Sequence, residues 1–292
     1  MQPFYVVAGA TGKTGSVVAE TLLGHGKAVR VIVHDAAKGE AFKARGAEVV
    51  VAELGDVAAL TTALTGAAGA YLLLPPNMTS AAPLEENAAL TATFATAIRE
   101  SKVPHVVFLS SIGAHLPDGT GPIRALHHAE KELAATGTAL TALRAAYFQS
   151  NWGSSLAMLP KGILPTFVPS DVAFAQVSTR DIGRVAATAL LEGAPLGTTQ
   201  VIELSGPKNY SANDVASALA VIVGTPVAVE WAPLETVIPT LTSFGVSPQV
   251  GELFREMYEG LTAGRVAPEG GSARTMLGSV TIDETLRALL GR

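Results

Sequence analysis

Apolar and polar positions in the first half of the chain fall into two alternating textures. Short runs rich in Val, Ile, Leu and Phe occur at Phe4–Ala8, Val29–His34, Glu48–Val51, Ala70–Leu74, His105–Ser110 and Leu140–Arg144. Between them lie Ala- and Leu-rich stretches with helical periodicity at Thr14–Leu23, Ala36–Arg45, Val57–Leu64, Leu84–Ser101 and His127–Ala135. Val106-Val107-Phe108-Leu109 carries no polar alternation, as expected of a strand buried on both faces. Strict alternation of strand and helix predicts βαβ units, right-handed crossovers and a parallel sheet.

The texture changes after Arg144. Residues 145–176 read as irregular, with three prolines (Pro160, Pro165, Pro169) among the aromatics Tyr147, Phe148, Trp152, Phe167 and Phe174. Ser178-Thr179-Arg180-Asp181 predicts a helix N-cap ahead of a helix from about Ile182 to Glu192, and Gln200–Leu204 predicts a strand that rejoins the sheet. Ser211-Ala212-Asn213-Asp214 predicts another capped helix start, and Gly270-Gly271 a loop. The expected organisation is a domain over 1–150, joined again by 177–206, with 151–176 and 207–292 forming a smaller, mainly helical C-terminal lobe that holds the substrate.

Composition narrows the function. The chain has 292 residues, 48% of them hydrophobic and 15% charged, which excludes a disordered chain. Its formal net charge is −5 and no run of Lys or Arg stands out, so nucleic acid is not an expected partner. There is no cysteine, which removes disulfides, zinc–thiolate sites and cysteine nucleophiles. No His/carboxylate cluster has metal-ligand spacing, so no metal is expected. No apolar run approaches the roughly 18–20 residues a bilayer span needs, and the chain opens directly on a strand. A cytoplasmic protein without a membrane partner is expected.

The most specific motif is Gly9-Ala10-Thr11-Gly12-Lys13-Thr14-Gly15, which follows the first strand and opens the first helix. Gly9 suits the tight turn, Gly12 the close approach of a pyrophosphate, and Gly15 the packing of helix on strand. Free N–H groups of the helix N-terminus then face the phosphates. Gly9, Thr11, Gly12, Lys13, Thr14 and Gly15 are the expected cofactor loop of a doubly wound Rossmann domain.

This loop resembles that of atypical short-chain dehydrogenases. Later segments in the same order resemble the NmrA-like family: Val29-Arg30-Val31-Ile32-Val33-His34-Asp35, Glu53-Leu54-Gly55-Asp56, Leu72-Leu73-Leu74-Pro75-Pro76, Leu109-Ser110-Ser111-Ile112-Gly113-Ala114, and Leu143-Arg144 through Phe148 to Asn151. The resemblance covers residues 4–210 well and the tail more loosely. It implies that NADP(H) is favoured over NAD(H). At the end of the second strand His34 stands where the family often has Arg, with Asp35 kept; Lys13 or Lys38 is placed to meet a 2′-phosphate, unless both are plain surface charges. The resemblance also places Glu53 and Leu54 by the adenine, and Leu74 and Pro75 beside the cofactor.

One departure bears on the chemistry. The family's relatives usually reduce carbonyls with a Ser and a Tyr-x-x-x-Lys pair. Ser110 and Ser111 end the fifth strand, but His127-His128-Ala129-Glu130-Lys131 occupies the window of the missing tyrosine. His127 and Lys131, at i and i+4, are then candidate catalytic residues with Ser110, although His128 could take the first place. Tyr147, beside both nicotinamide and acceptor, and Phe148, Asn151 and Trp152 suit a flat, mostly apolar substrate. The implied function is hydride transfer from NAD(P)H to a quinone or conjugated carbonyl, a chemistry that needs less protein acid than ketone reduction. The alternative, from another class, is a non-catalytic redox sensor of the NmrA type. The small-molecule substrate is the expected partner, a homo-oligomer is possible, and a protein partner follows only if the chain is a sensor. An epimerase acting on nucleotide sugars fits less well, because it too would use the tyrosine.

Overall fold

The computed structural model describes residues 3–292, so the first two residues of the expected N-terminal domain lie outside it. The alternating texture becomes β1 (Phe4–Val7), α1 (Gly15–Gly24), β2 (Ala28–Val33), α2 (Ala36–Lys43), β3 (Glu48–Val51), α3 (Val57–Leu64), β4 (Gly69–Leu72), α4 (Pro83–Ser101), β5 (His105–Ser111), α5 (Ile123–Ala134) and β6 (Ala139–Ala145). Asp35 and Asp56 start α2 and α3 by accepting from the Ala37 and Ala59 N–H groups. The helix expected from His127 begins at Ile123. Pro122 stands at its N-cap with φ −64°, a value that proline supplies without cost.

The second half continues with β7 (Tyr147–Phe148), a 3₁₀ segment over Gln149–Lys161, β8 (Ile163–Thr166), β9 (Phe174–Val177), α6 (Thr179–Glu192), β10 (Thr199–Ser205), β11 (Asn209–Tyr210), α7 (Ala212–Val223), β12 (Ala228–Trp231), α8 (Val237–Ser243), α9 (Pro248–Thr262), β13 (Arg274–Leu277) and α10 (Ile282–Leu289). The stretch read as irregular thus contains three short strands.

Eight parallel strands form the main sheet in the order β13-β10-β6-β5-β4-β1-β2-β3. The order reverses between β1 and β4, which opens a crevice at the carboxyl ends of those strands. One apolar layer packs α1 and α6 on one face, and another packs α3, α4 and α5 on the other. β6 is buried along its whole length. β13 is a departure from the expected helical tail. Glu203 on β10 accepts the Glu269 and Gly270 N–H groups, and Gly278 N donates to Ser205 O, which lays the chain along β10 as an eighth strand.

The lobe has its own core, with Trp152, Leu164, Phe174, Tyr210, Leu219, Met257, Ile282 and Leu286 among its buried side chains. Reciprocal capping boxes start α7 at Ser211/Asp214 and α10 at Thr281/Glu284. Among the described residues no helix is long and apolar enough to cross a membrane.

Candidate functional site

The glycine loop sits at the crevice. Ala8 N donates to Tyr71 O, and the chain then turns at Gly9, whose φ of +61° is left-handed. Gly12 N closes the turn on Gly9 O at 2.9 Å. A Cβ on Gly15 would lie 2.3 Å from Gly9 O, so only glycine lets α1 start this close to the turn. Thr11, Gly12 and Lys13 are exposed. No side chain caps α1. Ser16 N is closed on Gly12 O at 3.1 Å, and the positive end of the α1 dipole faces the crevice, a cradle that fits a dinucleotide pyrophosphate. Thr14 stands in the loop through its backbone. Its hydroxyl is buried and accepts from the Tyr71 phenol at 2.9 Å, so the side chain braces β4 and only the backbone is left at the loop.

At the end of β2, Lys38 Nζ donates to His34 Nε2 at 3.0 Å. Asp35 accepts from Ala37 N as the α2 cap. Two nitrogen-bearing side chains thus meet where a 2′-phosphate would be read, and the neighbouring carboxylate is engaged by the helix. Glu53 is exposed beyond β3, and Leu54 and Leu74 are half-buried against the core layer, with Pro75 exposed after β4.

The ends of β5 and β6 show how two of the expected catalytic residues are held. Ser110 is buried and its hydroxyl donates to Glu130 of α5, which holds it in an ion cluster. Lys131 is exposed in the last turn of α5, where it complements the helix dipole. The two histidines separate cleanly. His128 is exposed, whereas His127 is half-buried with Nδ1 2.8 Å from Ala114 O. A carbonyl accepts only, so Nδ1 carries the hydrogen in this contact.

Sequence reading did not assign the cluster that holds Ser110. Arg144 donates to both oxygens of Glu130 through Nε and Nη2, and to Glu269 through Nη1. Burial alone would depress the guanidinium, but its hydrogen bonds and charge pairing with Glu130 and Glu269 outweigh this and hold it charged. Its signal in the sequence is a cation near the end of a buried strand otherwise made of Ala, Leu and Thr, which requires a partner.

Tyr147 follows β6 after one intervening residue and stacks edge-on against Phe174 at 5.4 Å. Its hydroxyl meets the Asn151 side chain and the Tyr258 phenol; burial first, and Tyr258 next, push its pKa well above the usual phenol range. Burial pushes Tyr258 up to about 12. Tyr258 lies 5.3 Å from Phe167 and 6.2 Å from Phe254, ring to ring. Phe254 and Tyr258 are one α9 turn apart, and their i/i+4 spacing is the signal that could have found them. Phe148 is half-buried against the main core. Trp152 departs from its expected place at the substrate. It is buried in the lobe core with Nε1 donating to Gln176 Oε1 at 2.8 Å. α9 closes over the loop after β5, because a Cβ on Gly121 would lie 2.0 Å from Leu253 O.

A cavity of about 510 Å³ opens elsewhere, between α7 and α10 and lined by Tyr210, Ser217 and Ile282; it touches none of these groups. A smaller one of about 240 Å³, lined by Pro75, Asn77 and Leu90, lies beyond β4 at the crevice.

Known proteins share both fold and sequence with this chain. It is 27% identical over 281 residues to quinone oxidoreductase 2 of Escherichia coli strain K12, covering 94% of each chain. It is 27% identical over 258 residues to the NAD(P)H azoreductase of Xenophilus azovorans, covering 87% of this chain and 85% of the relative. Among solved structures, the NADPH complex of an E. coli NADPH-dependent quinone oxidoreductase superposes with a TM-score of 0.82 at 24% identity, over 98% of this chain and 99% of the other. A Citrobacter triphenylmethane reductase gives 0.82 at 21% identity, over 99% and 100%. The model of the NmrA-like family matches residues 4–285, which contain the glycine loop, His127 and the aromatic wall alike. The chain belongs to the NmrA-like family.

Proposed function

We propose that the chain is an NAD(P)H-dependent oxidoreductase, favouring NADPH, that reduces small flat conjugated acceptors of the quinone or azo class. The observation that carries this reading is the meeting at one sheet edge of three things: the glycine cradle after β1, His127 beside the loop after β5, and the aromatic wall after β6. The names of the two sequence relatives, a quinone oxidoreductase and an azoreductase, support the acceptor class.

When bound, the reduced nicotinamide supplies the hydride. The chain's own residues do the rest. Gly9, Gly12, Gly15 and the α1 N-terminus hold the pyrophosphate. Lys38 and His34 take the 2′-phosphate, with Lys13 from the loop. The rings of Tyr147, Phe254 and Tyr258 hold the flat face of the acceptor, and Asn151 orients a polar edge. His127, its Nδ1–H fixed on Ala114 O, presents Nε2 to the acceptor; as the imidazolium, with both ring nitrogens protonated, it gives the Nε2 proton to the acceptor oxygen or nitrogen and is left as the neutral Nδ1–H ring. This arrangement does without the Tyr-x-x-x-Lys pair. The setting is cytoplasmic and the partner a small molecule.

Oxidation of NADPH in the presence of a panel of quinones, azo compounds and conjugated carbonyls tests the proposal. Turnover with at least one class supports it. Tight NADPH binding without turnover across the panel would return the redox-sensor alternative.

A further inference from the structure

The cluster around Arg144 is not used in the proposed reaction, yet its geometry is demanding. On the sheet, Ser110 pairs with Arg144 and Arg144 with Glu203, so three polar residues stand side by side on β5, β6 and β10. Arg144 is buried and forks onto Glu130 at 2.7–3.2 Å. Ser110 closes on the same Glu130 oxygen that Arg144 Nε meets. Glu130 lies three residues beyond His127 on α5, so whatever fixes Glu130 fixes the rotation and height of His127.

The remaining Arg144 nitrogen reaches Glu269, in the segment between α9 and β13 whose N–H groups Glu203 clamps. That same segment returns to the loop that His127 holds. Val266 lies against Gly113, and Arg265 Nε is 3.4 Å from Gly119 O. The contacts form a closed circuit: Arg144, Glu130, His127, the loop after β5, the segment after α9, and Glu269 back to Arg144.

We propose that Arg144 is a positioning residue for His127, setting its orientation through Glu130 and tying that orientation, through Glu269, to the segment that follows the roof helix α9. The inference rests on His127 being the proton-supplying group of the proposed reaction, but the orientation itself is measurable without turnover. A guanidinium is needed because the fork is planar and bidentate, and an ammonium offers no such grip.

The test uses the paired variant Arg144→Met/Glu130→Leu and the single variant Arg144→Lys. Removing both charges leaves no buried charge unpaired, since Glu269 is exposed to water, and adding Ser110→Ala to the pair removes the hydroxyl that would lose its acceptor, so the paired variant so completed keeps a normal melting temperature. The expected result has three parts: nitrogen NMR shows that His127 has lost its single Nδ1–H tautomer, kcat with a naphthoquinone falls about tenfold, and the NADPH Kd stays within about twofold. Arg144→Lys should show the same changes in weaker form. A paired variant with normal melting temperature, unchanged His127 tautomer and unchanged kcat would overturn the proposal and leave the cluster a purely structural one. A changed tautomer in a protein whose rate is also indifferent to His127→Gln would uphold the positioning and remove His127 from the chemistry instead.

Discussion

Lys38 donates to His34 Nε2 at 3.0 Å, joining the first turn of α2 to the end of β2. The contact gathers two cation-forming side chains where the proposed function places the cofactor ribose, while Asp35 is engaged at the α2 cap. NADPH should therefore bind more tightly than NADH by roughly tenfold to a hundredfold, about 1.4–2.7 kcal/mol. Lys38→Ala should shrink the difference, and His34→Arg should widen it by adding a bidentate fork. Fluorescence titration with both cofactors measures this, and equal dissociation constants would refute it.

The loop glycines should separate binding from folding. A Cβ on Gly12 meets only Gly9 O at 3.2 Å, whereas one on Gly15 would lie 2.3 Å from that atom and 2.8 Å from Ala8 O. Gly12→Val should fold and lose NADPH, because its side chain fills the place of the pyrophosphate. Gly15→Ala should lose about 1–3 kcal/mol of stability through overpacking as well. Thermal melts beside binding titrations distinguish the two, and a folded Gly12→Val protein with unchanged affinity would contradict the loop's role.

The facing phenols predict an alkaline limit to stability. Burial raises the pKa of Tyr147 and of Tyr258, the latter to about 12 from 10.0. For such a group the stabilising contribution is complete below the unfolded pKa and is lost as pH rises through the folded value. Stability should hold up to about pH 10 and fall toward about pH 12, with the Tyr258 share on the order of 2 kcal/mol. Tyr258→Phe should flatten that fall in denaturant titrations at stepped pH. An identical alkaline loss in the variant would count against the buried phenol.

How legible these features were depended on the range of the contacts involved. The sheet, its helices and the glycine loop rest on local periodicity and turn chemistry, so their elements were readable to within a few residues. β13 was not, because Arg274–Leu277 is short and mostly exposed and gains its place from Glu203 and Ser205, about seventy residues earlier. Ser110 and Thr14 occupy motif positions, but the direction of a hydroxyl depends on long-range partners, Glu130 and Tyr71. Trp152 read as a flat binding surface; its indole N–H instead found Gln176 in the lobe core. Tyr258 belongs to the wall through packing across more than a hundred residues of sequence from Tyr147. Which of His127 and His128 meets the loop after β5 depends on the face α5 turns to it, and that is His127.

The central claim is that this sheet edge moves a hydride from NADPH to a conjugated acceptor, with His127 serving the proton side. The most direct measurement is single-turnover loss of reduced-nicotinamide absorbance on mixing the NADPH-loaded protein with a quinone, for the protein itself and for His127→Ala. The account predicts oxidation well above the rate of the protein-free mixture, and a loss of about 10²-fold in the variant with the NADPH Kd unchanged. NADPH-loaded protein that oxidises no faster than the protein-free mixture would contradict the account, and equal rates for the two proteins would contradict the role of His127.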